Sequence, residues 1–235
     1  MLTILCPISE TVPPAVFQAT MAMVNYTAQK GVKIDYVGIT ERTLVDTARN
    51  TLAREFLKTP SDWAFWMDAD MILPKETIVR LLEVAEEKKA KMVTGVYYQR
   101  GNKHWPVLWT RTPELENGQK PKVINQKEYD QNYHVGMFTV PGPEAREPFK
   151  VHSAGFGCAL VHRNVLESTD DPWFRFIYKQ CSEDFYFFVN AGKKGYELWA
   201  DPSLRLGHIA SAPAIYREDC YKKMEELETN IQPIK

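Results

Sequence analysis

Residues 63–70 join a run of five apolar side chains to the motif Asp68-Ala69-Asp70. An unbroken apolar run cannot alternate between a buried and an exposed face. It therefore predicts a strand covered on both sides, as the central parallel strands of α/β sheets are. Because strand side chains repeat every second residue, we expect Asp68 and Asp70 to point the same way. They would lie at the carboxyl end of the strand, where open α/β sheets bind ligands.

Asp68 and Asp70 have two interpretations. Two neighbouring carboxylates repel each other, and a divalent cation relieves that repulsion. The alternative is a structural turn into the helix predicted from Pro74, because Asp is common in turns. A turn needs only one such residue, so the pair favours a metal site.

Strand-like and helix-like segments alternate on both sides of this motif. Further strands are predicted at residues 2–6, 34–39, 92–98, 150–162 and 196–200. Amphipathic helices are predicted at residues 13–31, 44–56, 74–89 and 182–192, and a C-terminal helix within residues 211–235. In the first helix the apolar spacing is that of Phe17, Met21, Val24 and Ala28. The alternation predicts an α/β fold with a doubly wound, mostly parallel sheet flanked by helices.

Residues 99–148 interrupt this alternation. They are rich in Lys, Asn, Gln, Glu and Pro, with strand-like pieces only at 106–110 and 135–140. Segments of this length without regular structure are usually functional. We interpret them as a smaller lobe over the active site; a poorly ordered insertion is the alternative.

Bulk composition excludes several classes of partner. The net charge is -1, which argues against nucleic acid, and no apolar stretch approaches the ~20 residues of a membrane span. The N-terminus has neither the basic region nor the cleavage site of a secretory signal. Four scattered cysteines are typical of a reduced, cytoplasmic protein.

Three further features follow the Asp-x-Asp motif in order: Gly155-Phe156-Gly157, Ser182-Glu183-Asp184 and His208. Together the four features resemble the GT-A-fold glycosyltransferases, especially the large inverting family of bacterial sugar transferases. The resemblance covers about residues 2–210. Residues 38–41 depart from it, because they lack the Asp-rich turn that many members use against the nucleotide base.

The resemblance implies an enzyme that moves a sugar from a nucleotide-sugar donor, UDP- or GDP-linked, to an acceptor hydroxyl with inversion. The acceptor would be a glycan or a lipid-linked sugar, and the cofactor Mn²⁺ or Mg²⁺. One domain would hold a nucleotide-binding half (1–98), an acceptor-side half (99–210) and the C-terminal helix.

The resemblance also assigns roles to individual residues. Asp70 and His208 would bind the metal directly, and Asp68 would complete the metal site through metal-bound water or contact the ribose. Asp184 would be the catalytic base, with Glu183 orienting the acceptor or the helix. The residues expected to bind the nucleotide sugar are Pro7, Arg49, Asp68, Ala69, Gly155 and Gly157. Two structural alternatives are a loop histidine at position 208 and acids that merely favour a helix start at 183–184.

The same sequence features are compatible with other functions. A retaining glycosyltransferase of the same fold is one, and a sugar nucleotidyltransferase another, although no glycine-rich phosphate loop follows the first strand. An Asp-x-Asp phosphatase of the haloacid dehalogenase class needs, with a later Lys, a terminal acidic pair in a G-D-x-x-x-D setting, and the sequence has no such motif. A carbohydrate-binding module without catalytic activity would not need the paired carboxylates.

Overall fold

A mixed β-sheet forms the centre of the structure. The structure is a computed structural model, and it describes residues 1–8, 11–40, 42–100, 106–111, 135–137, 146–177, 181–209 and 215–216. The strands in these residues are β1 (Leu2–Pro7), β2 (Ile34–Thr40), β3 (Trp63–Met67), β4 (Met71–Ile72), β5 (Met92–Gly95), β6 (Leu108–Arg111), β7 (Val135–Met137), β8 (Phe149–Val151), β9 (Ser153–Ala154), β10 (Cys158–His162), β11 (Leu198–Asp201), β12 (Gly207–Ile209) and β13 (Ile215–Tyr216). The helices are α1 (Pro14–Gln29), α2 (Val45–Lys58), α3 (Thr77–Glu87), α4 (Arg163–Ser168) and α5 (Glu183–Lys193).

The central sheet has seven strands in the order β2-β1-β3-β10-β5-β11-β8. β1 pairs in parallel with β2 and β3, and β5 pairs in parallel with β11. β10 is antiparallel to both β3 and β5, and β8 is antiparallel to β11. Only β8 and β10 therefore run against the other strands, which confirms the mostly parallel sheet. β4, β12 and β13 form one small sheet, and β6, β7 and β9 another.

The strand that precedes the Asp-x-Asp motif is buried on both faces, as predicted. Trp66 belongs to a core that contains Leu52 and Phe56 of α2, together with side chains of α5. Phe65 belongs to a second core on the opposite face, formed with α1 and α3. The alternating side chains of β3 thus pack into two separate cores, which explains its uninterrupted apolar sequence.

The apolar spacing of the first helix does not mark its buried face. Phe17 and Met21 are 61% and 52% exposed, whereas Val16 and Met23 are buried. α1 carries apolar side chains around much of its circumference, so spacing alone does not select the stripe that meets the sheet.

Several predicted boundaries are wrong. The strand expected at 92–98 ends at Gly95, and α3 begins at Thr77, three residues after Pro74. The segment 150–162 is divided among β8, β9 and β10. Ile215–Tyr216 is a strand, β13, where the C-terminal helix was expected. The remainder of that helix and most of residues 99–148 lie outside the described residues, although β6 and β7 match the predicted strand-like pieces.

Side chains of α2 hold the segment before α5 in place. Asn50 accepts a hydrogen bond from the Phe174 N–H and donates one to the Phe174 carbonyl, at 3.1 and 2.6 Å. Arg54 binds both carboxylate oxygens of Asp171. Among the described residues, we find no helix with the length and apolar character of a membrane span.

Candidate active site

The two carboxylates of the Asp-x-Asp motif lie in a turn rather than on one face of a strand. The prediction that Asp68 and Asp70 point the same way is therefore wrong. β3 ends at Met67, whose partner Cys158 is the first residue of β10. The Asp68 N–H donates to the Gly157 carbonyl, and the Met71 N–H donates back to the Asp68 carbonyl at 3.2 Å. The chain therefore reverses over Asp68-Ala69-Asp70, and the two side chains reach different partners.

Asp68 pairs with a buried arginine. Arg49 Nη2 donates to Asp68 Oδ1 at 3.0 Å, and Arg49 Nη1 donates to Glu183 Oε1 at 2.6 Å. The Arg49 side chain is only 4% exposed. Burial lowers its pKa, but the two carboxylates outweigh burial and raise it, so the guanidinium stays charged. The three residues tie α2, the Asp-x-Asp turn and α5 together.

Glu183 is thereby committed to Arg49. Its side chain is 10% exposed. Burial raises the pKa of Glu183, while the charge of Arg49 opposes that rise. This contact links α5 to α2, and the expected role of Glu183 in orienting the acceptor or the helix stays a prediction.

Asp184 follows it in the first turn of α5, and its hydrogen bonds within the described residues involve one oxygen. Oδ1 accepts hydrogen bonds from the Ser182 hydroxyl and from the Phe185 N–H. Ser182 occupies the N-cap position, as expected, but its side chain binds Asp184 and not the helix backbone. No described residue donates to Oδ2, so this oxygen can accept a proton. The helix-start interpretation also fits the location of both acids.

Asp70, the residue immediately before β4, contacts His208. Their closest atoms, Asp70 Oδ2 and His208 Nε2, are 3.4 Å apart. His208 lies in β12, paired with Met71 of β4, and not in the predicted loop. The Ile209 N–H also donates to the Asp70 carbonyl at 2.9 Å. Strand pairing therefore brings the histidine to the second aspartate.

A backbone carbonyl sets the orientation of the imidazole. His208 Nδ1 lies 2.8 Å from the Tyr98 carbonyl oxygen. Because a carbonyl only accepts, Nδ1 must carry the proton, and in the neutral ring Nε2 presents its lone pair towards Asp70. This is the arrangement in which proteins hold metal-binding histidines.

Asp70 and His208 fit a small divalent cation. Metal–ligand bonds of about 2.1 Å allow two ligand atoms at this separation to share one ion. The predicted trio is not assembled, however. No group of three His, Cys, Asp or Glu side chains suited to a metal occurs within the described part of the chain. Asp68 turns to Arg49 instead, because the motif is a turn.

Arg100 also contacts Asp70, and sequence reasoning missed it. Its Nη1 atom is 3.1 Å from Asp70 Oδ2. Burial raises the pKa of Asp70, but His208 and Arg100 outweigh burial and hold it below its usual value. Arg100 opens the polar segment that follows β5, and nothing in its sequence context distinguishes it from neighbouring surface cations.

Tyr97 contacts two of the predicted site residues, and sequence reasoning did not find these contacts. Its phenol oxygen accepts a hydrogen bond from the Gly157 N–H at 3.1 Å, and its ring meets the His208 ring edge to face at 5.5 Å. Burial, followed by the charges of Asp68 and Asp184, raises its pKa well above the ordinary value, so it stays protonated. Tyr97 therefore touches the glycine segment and the histidine at once.

The two predicted glycines make room for this tyrosine. A β-carbon at Gly155 would collide with the Tyr97 hydroxyl and lie 2.8 Å from Val107 Cγ1. One at Gly157 would lie 2.9 Å from Tyr97 Cζ. The space beside both glycines is thus filled by a phenol, which by itself explains their small size. Sugar contact at these glycines stays a prediction.

The last two predicted binding residues border the same end of the sheet. Pro7 and Asp68 each stand two positions after the final pair of the β1–β3 ladder, Leu5 with Trp66. Ala69 is half-buried against the core under α1 and α3. Burial and the nearby charges of Asp68 and Asp70 raise the pKa of Cys6, next to Pro7, to about 12. β1 therefore ends beside the carboxylates.

The family model for glycosyl transferase family 2 matches residues 19–169, more than half of the chain. The protein belongs to this family, and it is a glycosyltransferase with a GT-A-like fold. The matched residues include the Asp-x-Asp turn, Arg49, Arg100 and both glycines. No curated protein is detectably similar to the chain in sequence.

Two solved structures share the architecture. The crystal structure of A197 from STIV superposes with a TM-score of 0.61 at 18% identity, covering 93% of this chain and 90% of that one. GalNAc-T7, solved with UDP, GalNAc and Mn²⁺, superposes with a TM-score of 0.56 at 12% identity. That match covers 96% of this chain, which spans only 47% of GalNAc-T7. At these identities the likeness concerns the fold.

Proposed function

We propose that the protein is a metal-dependent, inverting glycosyltransferase that uses a UDP- or GDP-sugar donor and an acceptor hydroxyl on a glycan or lipid-linked sugar. The observation that carries this proposal is the pairing of Asp70 with a histidine whose Nδ1 is held by the Tyr98 carbonyl. Asp184, with an oxygen open to a proton, lies in the same carboxylate-rich site as Asp68 and Arg49.

Asp70 and His208 would hold Mn²⁺ or Mg²⁺. Once bound, such an ion supplies Lewis-acid stabilisation of the negative charge on the departing diphosphate. A carboxylate and an imidazole suit Mn²⁺ better than Mg²⁺ by chemical tendency. GalNAc-T7 was solved with UDP and Mn²⁺, which agrees with metal use in this fold.

Asp184 would remove the acceptor proton. The attacking hydroxyl becomes more acidic as it bonds to the anomeric carbon, and a positioned carboxylate accepts its proton. The hydrogen bonds to Oδ1 from Ser182 and Phe185 fix the rotamer and leave Oδ2 to do this. Attack opposite the leaving diphosphate would invert the anomeric centre.

The donor would lie across the carboxyl ends of β1 and β3. Pro7, Ala69 and Asp68 border this area, Gly155 and Gly157 lie beside Tyr97, and the guanidinium of Arg49 fixes the Asp68 side chain. A cytoplasmic location accords with the free thiols of Cys6, Cys158 and Cys181.

Incubation with a panel of UDP- and GDP-sugars and candidate acceptors tests the proposal, with products measured by mass spectrometry. Transfer should add one hexosyl or N-acetylhexosaminyl mass to an acceptor in the presence of Mn²⁺ and none with chelator. Release of inorganic phosphate without sugar transfer would instead identify a phosphatase. Formation of pyrophosphate from a nucleoside triphosphate and a sugar phosphate would identify a nucleotidyltransferase.

A further inference from the structure

Asp70 Oδ2 has two cationic or potentially cationic neighbours. Arg100 Nη1 lies 3.1 Å from it and His208 Nε2 lies 3.4 Å from it. The carboxylate oxygen that would share a divalent cation with His208 is therefore the same oxygen that the Arg100 guanidinium contacts. An ion held by His208 and Asp70 would compete for Oδ2 with the Arg100 guanidinium, which now forms an ion pair with this oxygen.

The two cations exclude each other at this oxygen. A guanidinium 3.1 Å from Oδ2 occupies the approach to that oxygen, and its positive charge repels a divalent ion placed within a few ångströms. Metal binding must therefore release Arg100 from Asp70.

The Arg100 side chain is much more exposed than that of Arg49, so it can move more freely. It is 53% exposed, whereas that of Arg49 is 4% exposed and bound by two carboxylates. The backbone just before Arg100 is fixed, because the Tyr98 carbonyl binds His208 and the Tyr97 hydroxyl binds Gly157. When the Arg100 guanidinium leaves Asp70, the fixed backbone therefore keeps this residue beside the metal site.

The anion that would replace Asp70 is the diphosphate. Guanidinium groups bind phosphate oxygens through paired, charge-assisted hydrogen bonds. A nucleoside diphosphate bound to a metal on Asp70 and His208 would bring such oxygens next to Arg100.

We propose that Arg100 is a counter-ion that exchanges partners: it neutralises Asp70 in the free protein and moves to the diphosphate when metal and nucleotide bind. The inference rests on the proposed function. Arg100 would then lower the affinity of the site for the metal alone and raise its affinity for the nucleotide.

Two titrations of the folded, full-length chain separate these effects. The first measures the affinity for Mn²⁺ alone from the free-ion signal in electron paramagnetic resonance. The second measures the affinity for UDP and for GDP by calorimetry at saturating Mn²⁺. Wild type, Arg100→Gln and the control Arg205→Gln are compared. Arg205 is exposed and lies three residues before His208, so its variant removes the same charge from the same region.

Arg100→Gln should bind Mn²⁺ alone about two- to five-fold more tightly than wild type, because an exposed competing ion pair is lost. It should bind the nucleotide that the wild type prefers about ten-fold or more weakly, because charge-assisted bonds to phosphate are lost. Arg205→Gln should shift both affinities less than two-fold.

Changes of the same sign in both titrations, or equal behaviour of Arg100→Gln and Arg205→Gln, would overturn the role of Arg100 and leave the proposed function standing. A wild type that binds Mn²⁺ but neither nucleotide, or that binds no Mn²⁺, would overturn both. Far-ultraviolet circular dichroism verifies that each variant is folded.

Discussion

Arg49 Nη1 donates to Glu183 Oε1 over 2.6 Å, across 134 residues of sequence. The same guanidinium holds Asp68 through Nη2. The first acid of the Asp-x-Asp turn and the helix that carries Asp184 are therefore fixed to one cation. The site owes its geometry to this buried pair as much as to the residues proposed to react.

Removal of Arg49 should destabilise the protein strongly. Arg49→Met leaves Glu183 buried without its cation, and breaking a buried ion pair costs about 3–5 kcal/mol. Glu183→Gln keeps an oxygen that can accept from Nη1 and should cost less. Urea denaturation followed by fluorescence measures both changes. A loss below about 1 kcal/mol for Arg49→Met would show that the pair does not hold the fold together.

Tyr97 and Gly155 should be energetically coupled. Tyr97→Phe leaves the Gly157 N–H without its acceptor and should cost about 1–3 kcal/mol. Gly155→Ala drives a methyl group into the phenol hydroxyl, an overpacking that costs about 1–3 kcal/mol. Phenylalanine lacks that oxygen, so the double variant should be more stable than the sum of the two losses by about 0.5 kcal/mol or more. Strict additivity in the denaturation data would contradict the steric role given to Gly155.

The outline of the fold could be predicted because it depends on local patterns. The unbroken apolar run of β3 predicts burial on two faces. Its side chains enter two core clusters because successive residues of a strand point to opposite faces. The position of Ser182 before α5 was likewise visible in the sequence. These properties need no knowledge of distant segments.

The site was less predictable because its contacts join distant segments. Asp68 and Asp70 point to different partners because the ladder between β3 and β10 ends at Met67, which no residue of the motif reveals. The contacts of Tyr97 with Gly157 and of Arg100 with Asp70 could not be predicted, because only the folded sheet brings these residues together. His208 reaches Asp70 through the β4–β12 pairing rather than through a loop.

The surface pair Arg54–Asp171 should give a small stability term that depends on pH. Hydrogen bonds from Arg54 lower the pKa of Asp171, to which it binds at 2.8 and 2.7 Å. A lowered folded-state pKa means that the contribution is present above the unfolded pKa of about 3.9 and is lost as pH falls through the lower folded value. Both side chains are exposed, so screening limits the term to about 0.5 kcal/mol.

Arg54→Met should therefore reduce the free energy of unfolding at pH 7 and have a shrinking effect below about pH 4. In an Asp171→Asn background the Arg54 substitution should have no such pH dependence. An Arg54 effect that stayed constant from pH 7 to pH 3 in the wild-type background would rule out this linkage.

Asp184→Asn should lower kcat by about 10²–10⁴, the usual worth of general-base assistance, without a matching loss of nucleotide affinity. Wild-type product from an α-linked donor should be a β-glycoside, as read from the anomeric coupling constant by NMR. If the two acids only favour the start of α5, the variant would lose modest stability and keep near-normal turnover. Full activity in the variant, or a retained configuration, would remove Asp184 from the role of base.

Binding of UDP and GDP by calorimetry, with and without Mn²⁺, tests the central claim most directly. The wild type should bind one of the two nucleotides with Mn²⁺ and lose at least about ten-fold in affinity when the ion is chelated. Asp70→Ala should lose this metal dependence while its thermal transition remains cooperative. Equal nucleotide affinity with and without Mn²⁺, in both the wild type and Asp70→Ala, would contradict the assignment of Asp70 and His208 as the metal site.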